Sequence, residues 1–463
     1  MTSAQPIELY RKREKIYPRA VSGIFARFRI TGVLVLLGIF YGLPWLPWPM
    51  FADQQRQAVL FDLPNRKFYL FEWVFWPQDF LFLSGLLILC ALALFFFTAL
   101  AGRLWCGYAC PQTVWTEVFM WIENWIEGTR IQQIKRDKAP MSSEKFWRKS
   151  AKHAVWLILS LHTGYTFVGY FTPLDVLTHE TLTATLGPWE LFWILFYGFA
   201  TYGNAGWMRE QVCLYMCPYA RFQSAMFDAE TLIISYDEAR GEPRKRGRNA
   251  NDDPPGDCVN CQLCVQVCPT GIDIRDGLQY ECIGCAACID ACDEVMEKVD
   301  KPKGLIRYTT ESVLQGKPSR IMRPRIYVYT VLLVVLVSVL GFGLANRIPL
   351  ELDIIRDRNA LFREASNGYL ENVYTVRVMN MEERDHTYTL NVDGELDFFI
   401  NGKNTSIDIQ VPAGEVASRA ISLQVDPYTL TRSNYEIFIS ITSQSNAELT
   451  RREPARFLGP DDF

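Results

Sequence analysis

Residues 258–269 read CVNCQLCVQVCP and residues 282–292 read CIGCAACIDAC, so the spacing Cys-x2-Cys-x2-Cys-x3-Cys occurs twice in close succession. A cubane of four irons and four sulfurs needs four thiolates around a compact core. A tight loop supplies three of them and cannot also wrap the far corner. In two-cluster ferredoxins the fourth cysteine of each run ligates the other cluster. The spacing therefore assigns Cys258, Cys261, Cys264 and Cys292 to one [4Fe–4S] cluster and Cys282, Cys285, Cys288 and Cys268 to a second. Structural zinc uses separated Cys-x2-Cys pairs rather than two such triplets. Asp293 stands where bacterial ferredoxins usually carry proline, which touches the loop exit and not the ligand count. Two clusters move electrons one at a time, so a donor and an acceptor are required.

Outward from this block, which is expected to form a domain over 258–310, lie polar connectors at 237–257 and 311–325. Both are rich in charge, proline and glycine and poor in large apolar residues, as linkers are. Beyond them the chain of 463 residues is 49% hydrophobic, and the apolar residues are clustered. Uncharged stretches run over 30–51, 80–102, 154–174, 191–208 and 326–346. About 20 apolar residues cross a bilayer, so five transmembrane helices are expected, the stretch at 191–208 being the shortest. Seven Lys and Arg precede the first stretch and nine lie between Arg103 and Lys152, whereas residues 172–187 carry none. Positive loops stay inside. The amino terminus (1–29) and the cysteine block are thus expected in the cytoplasm and the carboxy-terminal region outside. The first span has too long a leader and no small-x-small site to be a cleaved signal. The net charge of −4 carries little information by itself, and no nucleic-acid partner is expected.

Within the expected membrane domain, 30–236, two further motifs stand out. RLWCGYACPQ (103–112) and EQVCLYMCPY (210–219) each place two cysteines four apart with proline behind the second. Positions i and i+4 share a helical face, and proline cannot continue a helix, so each pair is expected at a helix end on the cluster side of the membrane. The repeat could gather Cys106, Cys110, Cys213 and Cys217 at one point. Soft thiolates favour Cu(I) and iron–sulfur centres over hard ions. Inert buried cysteine is the simpler reading for one pair, but recurrence at the same offset points to a redox or metal role. A transient disulfide within a pair is a poor geometric match. Behind the first pair, Val114, Trp115, Val118, Phe119, Ile122, Trp125 and Ile126 recur at helical spacing, an amphipathic helix suited to the interface. ARFQSAMFDAETLIISY, behind the second, is expected to play the same part.

None of the thirteen cysteines lies in the segments assigned to the outside, which argues against a disulfide scaffold. Cys90 reads as packing and His153 as interfacial, while mid-span His162 reads either as a functional ionisable group or as a neutral histidine bonded to a neighbouring helix. Asp175, His179 and Glu180 read as a solvated loop, although such residues can bind metal. From about residue 370, NVYTVRVMN, HTYTLNVD, SIDIQVPAG, SRAISLQVD and YEIFISITS alternate apolar and polar positions between turn signals. Short strands so spaced indicate an immunoglobulin-like β-sandwich within 347–463, following the fifth helix at 326–346.

RLWCGYACPQTVW, the stretch from EQVCLYMCPY to DEARGEPR, the cysteine block through DACDEVM and the tail beginning NGYLENVYTVRVMN together resemble cytochrome c oxidase accessory proteins of the CcoG/FixG/RdxA type. The resemblance spans nearly the whole chain. It implies a bacterial inner-membrane protein with two [4Fe–4S] clusters in the cytoplasm and an immunoglobulin-like domain in the periplasm. It further implies a Cu(II) reductase preparing Cu(I) for haem–copper oxidases and their copper chaperones, with copper handled at Cys106, Cys110, Cys213 and Cys217. The electron donor would be quinol, a flavoprotein or a ferredoxin. A quinol-oxidising electron-transfer subunit and a non-enzymatic assembly scaffold are the alternatives; no Cys-x-x-Cys-His haem signal supports the first of these.

Overall fold

The computed structural model describes residues 15–49, 55–244, 256–358, 360–382, 384–402 and 405–460. The first part of the amino-terminal segment and most of the linker expected over 237–257 lie outside the described residues. The chain forms two compact units, one of Met1–Leu46, Val59–Phe61 and Leu83–Ser338, the other of Pro47–Ala58, Asp62–Phe82 and Val339–Phe463.

Among the described residues three helices are long and apolar enough to cross a membrane: Ile24–Trp45, Pro77–Ala101 and Pro324–Ala345. Their α-helical parts are α1 (Ile24–Gly42), α2 (Phe80–Ala101) and, further on, Pro324–Ala345. Two of the five expected spans are not among them. The stretch at 154–174 falls in a helix, Ser143–Val168, whose first turns carry Glu144, Lys145, Arg148, Lys149 and Lys152. The stretch at 191–208 divides into an α-helix, Pro188–Thr201, and wider π-helical turns over Tyr202–Met208. These two helices approach closely, because a β-carbon on Gly164 would strike the Ile194 carbonyl. Small residues allow such contact between apolar helices.

Between α2 and these helices come α3 (Leu104–Tyr108) and α4 (Pro111–Glu127). The amphipathic helix read from 114–126 is α4, with Trp125 largely exposed and Val114 and Phe119 buried. Its polar side is not solvated, however: Glu123 and Glu127 are buried. Glu123 pairs with Arg209 at 2.6 Å, Lys15 at 2.9 Å and Lys152 at 3.3 Å, and Glu127 with Lys152 at 3.0 Å. Charges taken out of water need such partners.

The segment behind the second cysteine pair differs from its counterpart. Its helix, Pro218–Ala225, stops after eight residues, and Asp228 and Thr231 close a turn. The chain then extends as β1 (Ile233–Tyr236), which pairs antiparallel with β2 (Ile306–Thr309). The cluster-type domain therefore begins at residue 233 and not at 258. Ile234, Tyr236, Ile274, Ile289, Met296, Leu305 and Ile306 form its core around the cysteine loops and the helix Ala287–Lys298. The described ends of the linker fold onto this domain, where Arg240 pairs with Asp257 at 2.6 Å.

The second unit carries the sandwich: β3 (Leu350–Arg356), β4 (Arg363–Glu364), β5 (Leu370–Asn380), β6 (His386–Gly394), β7 (Phe399–Ile400), β8 (Ser406–Val411), β9 (Val416–Val425), β10 (Asn434–Ser443) and β11 (Thr450–Leu458). One sheet has the order β7-β9-β5-β3, with β4 on β5; the other has β8-β6-β10-β11. Alternate residues such as Tyr374, Val376, Tyr388, Leu390, Ile439 and Ile441 fill the core. The Tyr435 hydroxyl accepts from the Thr431 and Arg432 N–H groups, the tyrosine corner of such sandwiches.

Candidate functional site

Both cysteine runs have the same backbone. Asn260 and Gln262 in the first, Gly284 and Ala286 in the second, take left-handed conformations on either side of Cys261 and Cys285. Such alternation turns successive N–H groups to one side, where they can face anionic sulfur. The loops enclose two hollows. One, of about 360 Å³, is walled by Cys258, Cys261, Cys264 and Cys292 with apolar neighbours such as Met296 and Leu305. The other, of about 340 Å³, is walled by Cys268, Cys282, Cys285 and Cys288, with Cys264 also on its edge. Each run thus sends its fourth cysteine to the other run's hollow. Among the described residues no three His, Cys, Asp or Glu side chains converge tightly enough to hold a single metal ion. Thiols set around a hollow suit a polynuclear group, and the donor set fits a [4Fe–4S] cluster in each.

Burial pushes the Cys285 and Cys292 thiols up to about 12 and Cys264 to about 11, with neighbouring thiols adding to the effect at Cys285 and Cys292. Cys288 is also raised well above its ordinary value, chiefly by burial. Left alone these groups would stay protonated; iron supplies the positive charge that replaces the proton.

The membrane-edge pairs sit beside the second run. Helix α3 ends at Tyr108, so Cys106 and Cys110 do not share one helix as the i,i+4 spacing suggests. Cys110 is instead the extended residue that opens α4, with Pro111 at the first helical position. Proline is favoured there because its missing N–H would have had no partner. Cys217 likewise closes the π-helical turn Val212–Met216 ahead of Pro218. Cys106 lies within electrostatic reach of Cys110, Cys213 and Cys217, but among the described residues the four thiols do not converge on one point as a ready-made metal site. Burial raises Cys106 and Cys213 to about 12, with the neighbouring thiols adding to it and Arg103 opposing it.

Gly107, between the first pair, packs against the second cluster run. A β-carbon there would meet the Gly284 carbonyl oxygen at 2.7 Å and the Cys285 Cα at 3.0 Å. Gly284 in turn has φ +71 and abuts the Arg103 backbone. The Arg103 guanidinium donates to the carbonyls of Cys282 at 2.9 Å, of Ala220 at 3.0 Å and of Tyr280. Buried Gln223 joins the two repeats, donating to the Gly102 carbonyl at 3.1 Å and accepting from the Cys106 thiol at 3.4 Å.

Other connections were hidden in the sequence. Asp290 accepts from the N–H groups of Phe25 at 3.2 Å and Ala26 at 2.7 Å, capping α1, and Gly23 leaves room for it. Arg29 donates to the Cys285 carbonyl at 2.5 Å. Arginine at a span boundary reads simply as positive charge, and nothing local marks Arg29, Arg103 or Asp290. The weaker candidates resolve into packing: His162 stacks on Tyr41 with centroids 5.0 Å apart, and His153 bonds the Tyr202 hydroxyl at 2.9 Å. Cys90 is exposed on α2. Asp175, His179 and Glu180 lie on the helix Leu174–Thr183.

Comparison with known proteins agrees with this arrangement. Residues 208–311 match the family described as a 4Fe-4S dicluster domain, and residues 83–129 a 4Fe-4S binding domain. Residues 340–460 match the family described as an "IG-like fold at C-terminal of FixG". Protein RdxB of Cereibacter sphaeroides is 40% identical over 437 residues, 91% of each chain. The nitrogen fixation protein FixG of Rhizobium meliloti is 41% identical over 421 residues, 83% of this chain and 80% of its own. Protein RdxA of Cereibacter sphaeroides is 42% identical over 396 residues, 83% of this chain and 84% of its own. The resemblance read from the motifs is thus met along most of the chain, which belongs to the FixG/RdxA family of membrane-associated iron–sulfur proteins.

Proposed function

We propose that the protein is a membrane-bound oxidoreductase that reduces Cu(II) to Cu(I) for assembly of a haem–copper cytochrome c oxidase. In this reading Cys258, Cys261, Cys264 and Cys292 hold one [4Fe–4S] cluster, and Cys268, Cys282, Cys285 and Cys288 the other. When bound, each cluster takes up and passes on one electron, and one electron converts one Cu(II) to Cu(I). Cys106, Cys110, Cys213 and Cys217 receive the copper ion as substrate; their soft sulfurs favour the reduced ion. The observation that carries the reading is the contact of Gly107 with Gly284 and Cys285, which sets the edge thiols against a cluster loop.

The remaining residues position and shield. Arg103 fixes the Cys282 loop to the edge thiols through main-chain carbonyls. Gln223 orients the Cys106 thiol. The apolar walls of both hollows exclude water, which strengthens local electrostatics. The helices Ser143–Val168 and Pro188–Thr201, packed through Gly164, supply the third and fourth spans of a five-span protein. Its amino terminus and clusters face the cytoplasm, and its sandwich faces the periplasm of a bacterial inner membrane. Cu(I) passes to an oxidase-assembly chaperone.

The test replaces Cys106 and Cys110 with serine, or Cys213 and Cys217, in otherwise intact protein. Each double variant is expected to keep its iron and sulfide and to lose copper binding and Cu(II) reduction. Either should do nearly as much damage as both, because groups acting as one unit are non-additive. Cu(II) reduction at the unaltered rate in both double variants refutes the reading.

A further inference from the structure

We propose that the open cavity of about 1090 Å³ between α1, α4 and the second cluster loop binds a membrane hydroquinone, the electron donor of the reaction above. The inference rests on the oxidoreductase reading and adds its second substrate. Arg29 and Ile30 of α1, Glu117 and Trp121 of α4, and Cys213 and Cys285 are on its wall. A ring seated there touches one edge thiol and one cysteine assigned to the second cluster.

The chemistry of the wall selects the donor. Its two buried arginines are already engaged, Arg29 by the Cys285 carbonyl and Arg209 by Glu123. That leaves room for an uncharged ring beside them, with exposed Arg19 at the rim. Trp121 offers an aromatic face, and its indole N–H holds the Glu117 carboxylate at 3.2 Å. The cavity opens beside the first turns of a membrane-crossing helix, where Ile30 is 43% exposed, so an isoprenoid tail can leave into lipid. The hydroquinone loses two electrons and two protons and departs as quinone. Clusters bound at the two cysteine sites would carry these electrons singly, one to each of two Cu(II). Glu117 accepts one proton and water the other.

The test uses the full-length, cluster-containing protein in lipid nanodiscs. An azido-quinone photolabel is expected on peptide 112–124. Thr116→Trp, which fills the cavity, should reduce labelling at least tenfold while the cluster absorbance is kept. Decylubiquinol should bleach that absorbance in the parent protein and not in Thr116→Trp, whereas dithionite bleaches both. Label elsewhere, undiminished label in Thr116→Trp, or no bleaching by decylubiquinol in the parent overturns the proposal. If Thr116→Trp loses its clusters, Met120→Trp is read in the same way, and the label position in the parent protein still decides. Copper separates the two readings. Dithionite-reduced protein that fails to reduce Cu(II) sinks the oxidoreductase reading while label in the cavity upholds the quinol site. Cu(II) reduction with label elsewhere sinks the quinol site alone.

Discussion

Gly107→Ala tests the coupling between the edge thiols and the cluster domain with a single methyl group. Its β-carbon would lie 2.7 Å from the Gly284 oxygen and 3.0 Å from the Cys285 Cα, both backbone atoms that cannot rotate away. Non-bonded carbon contacts are comfortable from about 3.5 Å, so the loops must part by roughly 0.5–1 Å. Overpacking of this kind costs about 1–3 kcal/mol. At about 1.4 kcal/mol per decade, the docked arrangement loses roughly 5- to 150-fold in population. Cluster content should be retained, because the eight cysteines assigned to the clusters are untouched, while electron transfer from dithionite-reduced protein to Cu(II) falls by a factor in that range. Gly38→Ala is the control, since a β-carbon there meets nothing within 4 Å. The assay is stopped-flow absorbance of the clusters on mixing with Cu(II), beside an iron determination. If Gly107→Ala transfers electrons at the parent rate with full iron, contact between the two loops is irrelevant to the path and the reasoning fails.

Anaerobically purified protein should carry about eight iron and eight acid-labile sulfides per chain, as two cubanes require; near-stoichiometric zinc without sulfide would refute the assignment. A reporter active only in the cytoplasm should work when inserted near Asn249 and fail after Phe463, and the reverse result would invert the topology. Burial alone would raise the Glu123 carboxyl, but Arg209, Lys15 and Lys152 hold it down at about 2 against a usual 4.5. Its folded value is depressed, so its stabilisation is complete above about pH 4.5 and is lost as pH falls towards 2. Glu123→Gln should therefore lower the melting temperature at pH 7 and flatten the acid limb of a melting-temperature profile. An unchanged profile between pH 5 and 3 would show that the network contributes nothing.

Those features that repeat or alternate were legible in the sequence. The two cysteine runs announce the two hollows. Five sandwich strands follow from alternation, whereas β11 does not, because Arg451, Arg452, Glu453 and Pro454 break the pattern on an edge strand. The Glu123 network was invisible, since its members come from positions 15, 123, 152 and 209 and each alone reads as a solvated charge. Strand β1 reads in the sequence as part of a membrane-lying segment, because four residues carry no usable period and its partner β2 is far along the chain. That two of the five expected stretches do not form long apolar helices has a physical basis too. Helices that pack on neighbours through Gly164, Ser160 and Thr166 can trade apolar length for contact.

The cap of α1 bears on how the protein is made. Asp290 is synthesised 265 residues after the Phe25 N–H it accepts. A ribosome therefore delivers the first membrane helix with an open amino end. That end is closed only when the later cysteine loops have been translated and have settled beside it. Arg29 waits for the Cys285 carbonyl over the same interval. Maturation thus has a built-in order: the helix enters the bilayer first, and its inner end becomes fixed when the iron-binding half arrives. A chain that stalls before residue 290 lacks the carboxylate that caps this helix.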